Sequence, residues 1–230
     1  IREGYVDEEE LIAAAVETEK LSRVDLYGIG TNLTCFSFIQ ADEEKMERLA
    51  EMRKKVENAA GHTLEIVSGG NSAALDLMMR GGICEGVDNF RLGESLLFGK
   101  ERSRYTFLPG TRNDGFILEC EVVEAKVKPS LPWGTAGGDS YGRKPVFTNR
   151  GEKRKKVICA IGRQDFDAET ATPVDEGILI LGASSDHLML DVTDSVKEYK
   201  VGDIVELRLG YFSVLRAFTS PYVEKIFLKK

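Results

Sequence analysis

The chain has 230 residues, of which 42% are hydrophobic and 30% are charged, and its formal net charge is −7 at pH 7. This apolar content supports a hydrophobic core, and the length suggests one large domain or two modest ones. No apolar run approaches the ~20 residues of a membrane-spanning helix, and the first residues lack a signal-peptide pattern. The composition therefore predicts a soluble protein and excludes a membrane-embedded one.

The charged residues and cysteines argue against two further classes of protein. The basic run 150–156 is short and is interrupted by Glu152, so we interpret it as a solvated hairpin and expect no nucleic-acid partner. The cysteines are scattered, without a CxxC spacing or a nearby histidine pair, at Cys35, Cys84, Cys120 and Cys159. This arrangement indicates neither a bound metal nor a disulfide framework. Reduced thiols are typical of the cytoplasm, which is the expected location.

The first half of the chain alternates between helical and strand-like patterns. Apolar residues recur at helical spacing in the first helix, and Met46, Leu49, Met52 and Val56 share one face of the second. The predicted elements are helices over 7–20, 42–60 and 73–80 and strands over 24–29, 64–67 and 90–92. This order is typical of a parallel sheet or a β/α barrel.

A candidate anion site lies where the second predicted strand ends, in the segment Ser68–Ser72. Small, hydroxylic and glycine residues there lead straight into a helix, so unpaired backbone N–H groups would face a ligand. The alternative is an ordinary turn in which Asn71 or Ser72 caps the helix. A similar turn, 89–94, places Arg91 and Gly93 where the next strand should end. We therefore predict that two adjacent strand ends converge on one phosphate-sized ligand.

The second half of the chain has a different pattern, with strand-like runs separated by glycine, proline and polar turns. The predicted strands are 116–123, 157–161, 177–181, 187–192 and 204–209. These runs favour an antiparallel β domain, either a small barrel or a sandwich. A long loop containing Pro129, Pro132 and the Gly137–Gly138 pair separates the first two strands, and loops of that length are usually functional or disordered.

Three parallel strands cannot close a barrel, and as an open sheet they leave bare edges. The chain also begins at Ile1–Gly4 without a methionine, in what resembles the end of a strand. We therefore expect the sequence to be the C-terminal portion of a longer protein. The predicted domains are 1–104, the C-terminal part of a TIM-like barrel, and 105–230, an antiparallel β domain.

Five segments in a fixed order support a resemblance to a known family. They are 28–35, 68–72, 91–94, 160–165 and 181–187. Together they resemble the ornithine-racemase branch of the alanine racemase family, from Arg2 to about Lys225. These are fold-type III enzymes that bind pyridoxal 5'-phosphate (PLP) and consist of a TIM-like barrel and a C-terminal β domain. The resemblance implies an amino-acid racemase, and the lysine that forms the Schiff base with PLP would precede Ile1.

The resemblance assigns the cofactor-binding residues. Asn71, Ser72 and the backbone of Gly93 and Glu94 match the phosphate cradle, and Ser68 opens the same motif. Arg91 matches the arginine that faces the pyridine nitrogen; its guanidinium does not give up its proton, so that nitrogen would stay largely unprotonated. Asn32 replaces a histidine of alanine racemases, and Tyr222 is close to the position of a phosphate-binding tyrosine. The alternatives from the residues alone are a surface salt bridge for Arg91 and a turn role for Asn32.

The resemblance also assigns residues to catalysis and substrate binding. Tyr141 is similar in setting to the second catalytic base, and Asp186 belongs to a pair, with Ser185, that bounds the substrate pocket. Asp186 and Asp165 would pair with the distal ammonium of a basic amino acid such as ornithine or lysine. The alternatives are a loop anchor for Tyr141 and surface solvation for Asp165. In the family, Tyr141 and the Ser185–Asp186 pair would reach the partner's barrel, so a homodimer with active sites at the subunit interface is implied.

Two other functions remain open from the sequence. One is a non-catalytic PLP-binding or regulatory protein like the single-domain relatives that use the same barrel, although these lack a β domain. The other is an inactive fragment or one piece of a split racemase. The presence or absence of a covalently held, yellow cofactor would discriminate between an intact enzyme and a fragment.

Overall fold

A computed structural model describes residues 3–138, 142 and 144–229. The chain forms two compact units, Ile1–Asn113 and Asp114–Lys230. The observed division falls after Asn113 and not after Arg104, because the segment that follows Arg104 folds back on the first unit. Leu108 N donates to Gly99 O over 2.9 Å, and Lys100 pairs with Phe107 in an antiparallel bridge.

The first unit alternates helices and short strands. Its elements are α1 (Glu8–Glu19), β1 (Gly28–Gly30), α2 (Glu43–Ala60), β2 (Ile66–Asn71), a 3₁₀ turn (Ser72–Ala74), α3 (Leu75–Met79), β3 (Asn89–Arg91) and α4 (Glu94–Phe98). The three strands form a parallel sheet in the order β1-β2-β3, with Gly28 opposite Ile66 and Asn71 opposite Arg91. Because the strands are parallel, their carboxyl ends lie along one edge of the sheet.

The two long helices of this unit begin at the aspartates that precede them. The side chain of Asp7 accepts from Glu9 N and Glu10 N over 2.9 and 3.0 Å, and Asp42 accepts from Lys45 N over 3.0 Å. Met46 and Val56 on α2 are fully buried, as the helical spacing predicts. Both predicted long helices are thus confirmed, apart from single residues at their ends.

Two strands of the first unit differ from the sequence prediction. The first strand begins at Gly28 and not at Val24, whose side chain is 50% exposed. The second strand continues through the segment predicted as a turn and ends at Asn71. Close packing explains this extension, since a Cβ at Gly69 would lie 2.7 Å from side-chain atoms of both Val87 and Phe90. The absence of a Cβ at Gly69 therefore lets β2 pack closely against Val87 and Phe90. The helix that follows starts as a 3₁₀ turn and ends at Met79.

The second unit is built on a six-stranded antiparallel sheet. Its elements are β4 (Ile117–Pro129), β5 (Lys153–Cys159), a 3₁₀ turn (Ala168–Thr170), β6 (Ala171–Pro173), β7 (Leu179–Ala183), β8 (Leu188–Asp191), β9 (Ile204–Leu209) and α5 (Tyr211–Thr219). The strand order is β6-β9-β4-β5-β8-β7, and the two edge strands approach each other, so the sheet curves toward a barrel. Its concave side is filled by fully buried residues that include Phe166, Val122, Leu190 and Val205.

Three features of the second unit were not predicted. The strand β6 and the helix α5 are absent from the sequence interpretation, and β4 extends to Pro129 because it pairs along its length with β5. Part of the basic run enters β5, where Lys128 lies opposite Arg154. The run therefore belongs to the stem of a hairpin. The long loop between β4 and β5 has no helix or strand in its described residues.

Within the described ranges, no helix is both long enough and apolar enough to cross a lipid bilayer.

Candidate functional site

Polar side chains collect at the carboxyl edge of the parallel sheet in the first unit. Asn32 follows β1, Asn71 ends β2 and Ser72 follows it, and Arg91 ends β3. In open α/β sheets, ligands bind outside the carboxyl ends of the strands. The sequence predicted these residues at neighbouring strand ends, and the fold brings them to one edge.

The Asn71 amide joins the ends of the first two strands. Its Nδ2 donates to Asn32 Oδ1 over 3.0 Å and to Leu33 O over 3.1 Å. Its Oδ1 accepts from Ala73 N over 2.9 Å, so the side chain also caps the 3₁₀ turn, as the alternative interpretation predicts. The hydrogen bond between Asn71 and Asn32 therefore links the ends of β1 and β2, and the Asn71 side chain also fixes the start of the 3₁₀ turn.

The hydroxyl of Ser72 joins the second and third strand ends. Ser72 is only 4% exposed, and its Oγ lies 3.1 Å from Ser95 Oγ. It also accepts from the backbone N–H groups of Gly93 and Ser95, over 3.2 and 3.3 Å. Two backbone donors thus converge on one oxygen at the start of α4. The carboxylate of Glu94 turns to Arg102, 2.9 Å away, which leaves only its backbone for a cradle.

Arg91 is held by two uncharged oxygens. Its Nη2 donates to Thr31 O over 2.7 Å, and its Nη1 donates to Ser68 Oγ. Among the residues that the structure describes, Arg91 forms no ion pair, so the surface salt bridge is not observed. The side chain is nevertheless exposed at the sheet edge, where a ligand can reach it.

In the second unit, Ser185 and Asp186 form the exposed turn between β7 and β8. Asp186 Oδ1 lies 3.0 Å from His187 Nδ1 and accepts from the hydroxyls of Ser185 and Ser184, over 3.1 and 3.2 Å. The hydrogen bond with His187, followed by those from the two serines, lowers the pKa of Asp186 below its ordinary value. The turn therefore presents a carboxylate that stays ionised.

A neighbouring loop fixes the position of this turn. Arg163 N donates to Ser184 O over 2.8 Å, and Gln164 N donates to Ser185 O over 3.0 Å. A Cβ at Gly162 would lie 2.3 Å from Asp186 N, so only glycine allows the two segments to pack this closely. Both segments are recognisable as motifs in the sequence, but their contact was not predicted because they are separate along the chain.

Asp165 does not lie on the surface, so the alternative of surface solvation is not observed. The residue is 4% exposed, and its Oδ1 accepts a 2.6 Å hydrogen bond from the hydroxyl of Ser220, which is 6% exposed. The burial follows from its neighbour Phe166, which is fully buried in the core of this unit. The described contacts of Asp165 therefore give it a packing role, and its contact with a substrate ammonium stays a prediction.

Tyr222 and Tyr141 complete the predicted set. Tyr222 is 79% exposed in the second unit, and its backbone N–H donates to Ser220 Oγ over 3.1 Å. Tyr141 lies outside the described residues. The structure thus groups the predicted residues into a strand-edge cluster in the first unit and a turn cluster in the second. Sequence reasoning assigned no role to Ser95, Asn89 or His187, although Ser95 follows the segment 89–94 directly and the other two lie within the segments 89–94 and 181–187.

Comparison with known proteins gives long matches to two curated relatives. The ornithine racemase of Acetoanaerobium sticklandii is 44% identical over 225 residues, which are 98% of this chain and 64% of that protein. The lysine racemase of Thermotoga maritima is 41% identical over 227 residues, which are 99% of this chain and 62% of that protein. The chain therefore spans less than two thirds of the length of either relative. No protein-family model matches it.

Solved structures of alanine racemases share the fold. The enzyme of Streptomyces lavendulae superposes with a TM-score of 0.59 at 14% identity, over 99% of this chain and 63% of that one. The enzyme of Bartonella henselae, solved with covalently bound pyridoxal phosphate, superposes with a TM-score of 0.54 at 19% identity, over 86% of this chain and 52% of that one. These likenesses confirm the predicted fold class, a partial β/α barrel followed by an antiparallel β domain. Along almost its whole length the chain is therefore similar in sequence to an ornithine and a lysine racemase, and it shares the fold of alanine racemases.

Proposed function

We propose that this chain forms part of a PLP-dependent racemase that interconverts the L- and D-forms of a basic amino acid. The observation that carries the proposal is the identity of 44% and 41% with an ornithine and a lysine racemase along nearly the whole chain. Alanine racemases share the fold at lower identity. The size and charge of the substrate are therefore inferred from the sequence relatives.

The strand-edge cluster suits the phosphate of PLP. The backbone N–H groups of Gly93 and Ser95 already converge on an oxygen, Ser72 Oγ, and a phosphate oxygen is an acceptor of the same kind. A Cβ at Gly93 would meet no atom within 4 Å, so there is open space beside these donors. We assign the phosphate to this place, with Asn71, Ser72, Gly93 and Glu94 around it.

Arg91 suits the pyridine nitrogen of the cofactor. PLP supplies an electron-withdrawing ring that makes the α-proton of the amino acid more acidic. A guanidinium donates hydrogen bonds and does not transfer its proton near neutral pH. Arg91 would therefore keep the ring nitrogen unprotonated, which favours return of the α-proton over side reactions such as transamination. Asn32, which is bonded to Asn71, would line the same edge.

Asp186 supplies the charge that a basic substrate requires. Its pKa is lowered by its bonds to His187, Ser185 and Ser184, so the carboxylate remains available to a distal ammonium at neutral pH. A charge-assisted hydrogen bond discriminates against alanine, which has no such group, more strongly than apolar contact does. Ser185 beside it keeps the wall of the pocket small and polar.

Racemisation needs a proton acceptor on each face of the α-carbon. We assign one of them to Tyr141 and place it, with Ser185 and Asp186, at the barrel of a second subunit in a homodimer. A phenol has an ordinary pKa of ~10, so a neighbouring cation or donor would have to favour its ionised form. This part of the proposal rests on the resemblance of the sequence.

The natural full-length protein tests the function. With PLP present, L-ornithine, L-lysine and L-alanine are incubated separately, and D-isomers are measured by chiral chromatography. We expect ornithine or lysine to be racemised at least about 100-fold faster than alanine, the scale of discrimination by a polar site. Asp186→Asn should remove most of this preference, whereas Glu176→Gln, an exposed carboxylate of the same unit, should not change it.

The same experiment separates the alternatives. A protein that binds PLP but racemises none of the three amino acids would be a non-catalytic PLP-binding protein. A protein that racemises alanine fastest would contradict the assigned substrate and the role of Asp186. Racemisation at the normal rate by Tyr141→Phe, or by a strict monomer, would remove Tyr141 and the subunit interface from the proposed mechanism.

A further inference from the structure

A buried hydroxyl stands between Arg91 and Asn89. Ser68, in β2, is 6% exposed; its Oγ accepts from Arg91 Nη1 and donates to Asn89 Oδ1 over 2.8 Å. A guanidinium can only donate, and a hydroxyl has one proton and two lone pairs. Arg91 therefore occupies a lone pair of Ser68, and the single proton of Ser68 is left for the amide oxygen of Asn89. The direction of the whole chain of hydrogen bonds follows from these donor counts.

A second contact holds the other side of the guanidinium. Arg91 Nη2 donates 2.7 Å to Thr31 O, and Thr31 N donates 2.9 Å to Ser68 O. The arginine of β3 is thus bonded to Thr31, which directly follows β1, and to Ser68 within β2. The space for it is narrow, since a Cβ at Gly30 would lie 3.0 Å from Ser68 Cβ and 3.5 Å from Arg91 Nη1. Hydrogen bonds from Nη1 and Nη2 therefore fix the orientation of the guanidinium at the sheet edge.

We propose that Asn89, acting through Ser68, is a positioning residue that sets the orientation of the Arg91 guanidinium. Asn89 takes the proton of Ser68 and so keeps a lone pair of that hydroxyl directed at Arg91. If Asn89 lost its acceptor, the Ser68 proton would have to find another partner and could turn toward the guanidinium, which offers only donors. Arg91 would then keep one of its two anchors and rotate more freely.

The consequence for chemistry rests on the proposed function, in which Arg91 meets the ring nitrogen of PLP. A guanidinium that rotates freely would form a weaker hydrogen bond to the ring nitrogen. That nitrogen could then become protonated. Protonation strengthens the ring as an electron sink and favours transamination. Asn89 and Ser68 would thereby control reaction specificity without touching the substrate.

The orientation itself is measured without cofactor, by NMR of the arginine side chains in the 230-residue chain. Restricted rotation gives separate ¹⁵N–¹H signals for the Arg91 Nη groups, which an Arg91→Lys sample identifies. We expect these signals in the native chain, and their collapse in Asn89→Leu, which has a similar size and no acceptor. Asn89→Asp keeps an acceptor and should restore them, whereas a residue that only fills space would not be rescued this way.

Ser68→Ala provides a second route, because it removes only the bridging oxygen. We expect the Arg91 signals to collapse in Ser68→Ala as well. This variant provides the test if Asn89→Leu fails to fold. Unchanged Arg91 signals in a folded Asn89→Leu or Ser68→Ala variant would overturn the proposal. If the Arg91 signals collapsed as completely in Asn89→Asp as in Asn89→Leu, the proposal would also be overturned.

In the natural full-length protein, Asn89→Leu should raise the ratio of transamination to racemisation about tenfold, the effect of one pKa unit at the ring nitrogen. If the native protein neither binds PLP nor racemises, the proposed function fails while the NMR result on Arg91 still decides the positioning role. If racemisation is normal and the transamination ratio is unchanged in Asn89→Leu, the link from Asn89 to reaction specificity is wrong.

Discussion

At the scale of the residue, single side chains that each form hydrogen bonds with two partners hold the candidate site together. Ser72 accepts from two backbone donors across strand ends, and Ser220 connects buried Asp165 to the backbone of Tyr222. A buried donor that loses its partner costs about 1 to 3 kcal/mol, more than the net value of an average hydrogen bond. These small residues therefore matter more to the site than their size suggests.

Replacing Ser72 by alanine should destabilise the chain by about 1 to 3 kcal/mol, because the Gly93 and Ser95 N–H groups lose their acceptor. Urea denaturation measures the change in the free energy of unfolding. Ser22→Ala, at an exposed position, should stay within about 0.5 kcal/mol of the native value. If both variants were equally stable, the hydroxyl of Ser72 would not connect the two strand ends.

Asp165→Ala should also lower stability by about 1 to 3 kcal/mol, since the buried hydroxyl of Ser220 loses its acceptor. The packing role predicts that Ser220→Ala in the same background costs little more, because the two groups act as one pair. A double-mutant cycle in urea provides this test. Normal stability of Asp165→Ala, together with a raised KM for the basic substrate, would restore Asp165 as a substrate ligand.

At the scale of the element, a buried ion pair joins two strands of the second unit, β5 and β8. Asp191 on β8 is 2% exposed, and its Oδ2 accepts 2.8 Å from Arg154 Nε on β5. Burial by itself would raise the pKa of Asp191, but the hydrogen bonds from Arg154 and Thr193 outweigh it, and the pKa is lowered below 3.8. The pair therefore stabilises the contact between the two strands only while the carboxylate is ionised.

The lowered pKa sets the sign of a pH dependence. The stabilisation from Asp191 is fully present above its unfolded pKa of 3.8 and is lost as the pH falls through the lower folded pKa. Asp191→Asn should therefore be less stable than the native chain at pH 7, and the difference should shrink as the pH falls toward 3. Glu176→Gln, which alters an exposed carboxylate, should keep the native pH profile. A constant difference between Asp191→Asn and the native chain from pH 7 to 3 would contradict this assignment.

At the scale of the whole molecule, the second unit carries a hydrophobic core of its own. Its fully buried residues lie on the sheet strands and at Phe166. We expect residues 114–230, expressed alone, to fold cooperatively, with a dispersed NMR spectrum and a single urea transition. A spectrum without dispersion, or the absence of a transition, would mean that this unit depends on the other for its core.

Local pattern by itself determined most of the elements. The long helices follow from apolar spacing and from the aspartates before them, and the change from αβ to antiparallel β units follows from periods and turns. The residues at the strand edge were also found from the sequence, because parallel strands end at one edge. The family motifs, which are local segments, led to the ornithine and lysine racemases.

Only the tertiary structure decided what depends on contacts between distant segments. The extension of β2 through Gly69 depends on Val87 and Phe90, and the burial of Asp165 depends on Phe166 and Ser220. A glycine or an aspartate carries the local signal of a turn or a surface, and packing against partners far along the chain overrides that signal. The Asn89–Ser68–Arg91 chain likewise joins two strands in register, and a linear sequence does not state that register.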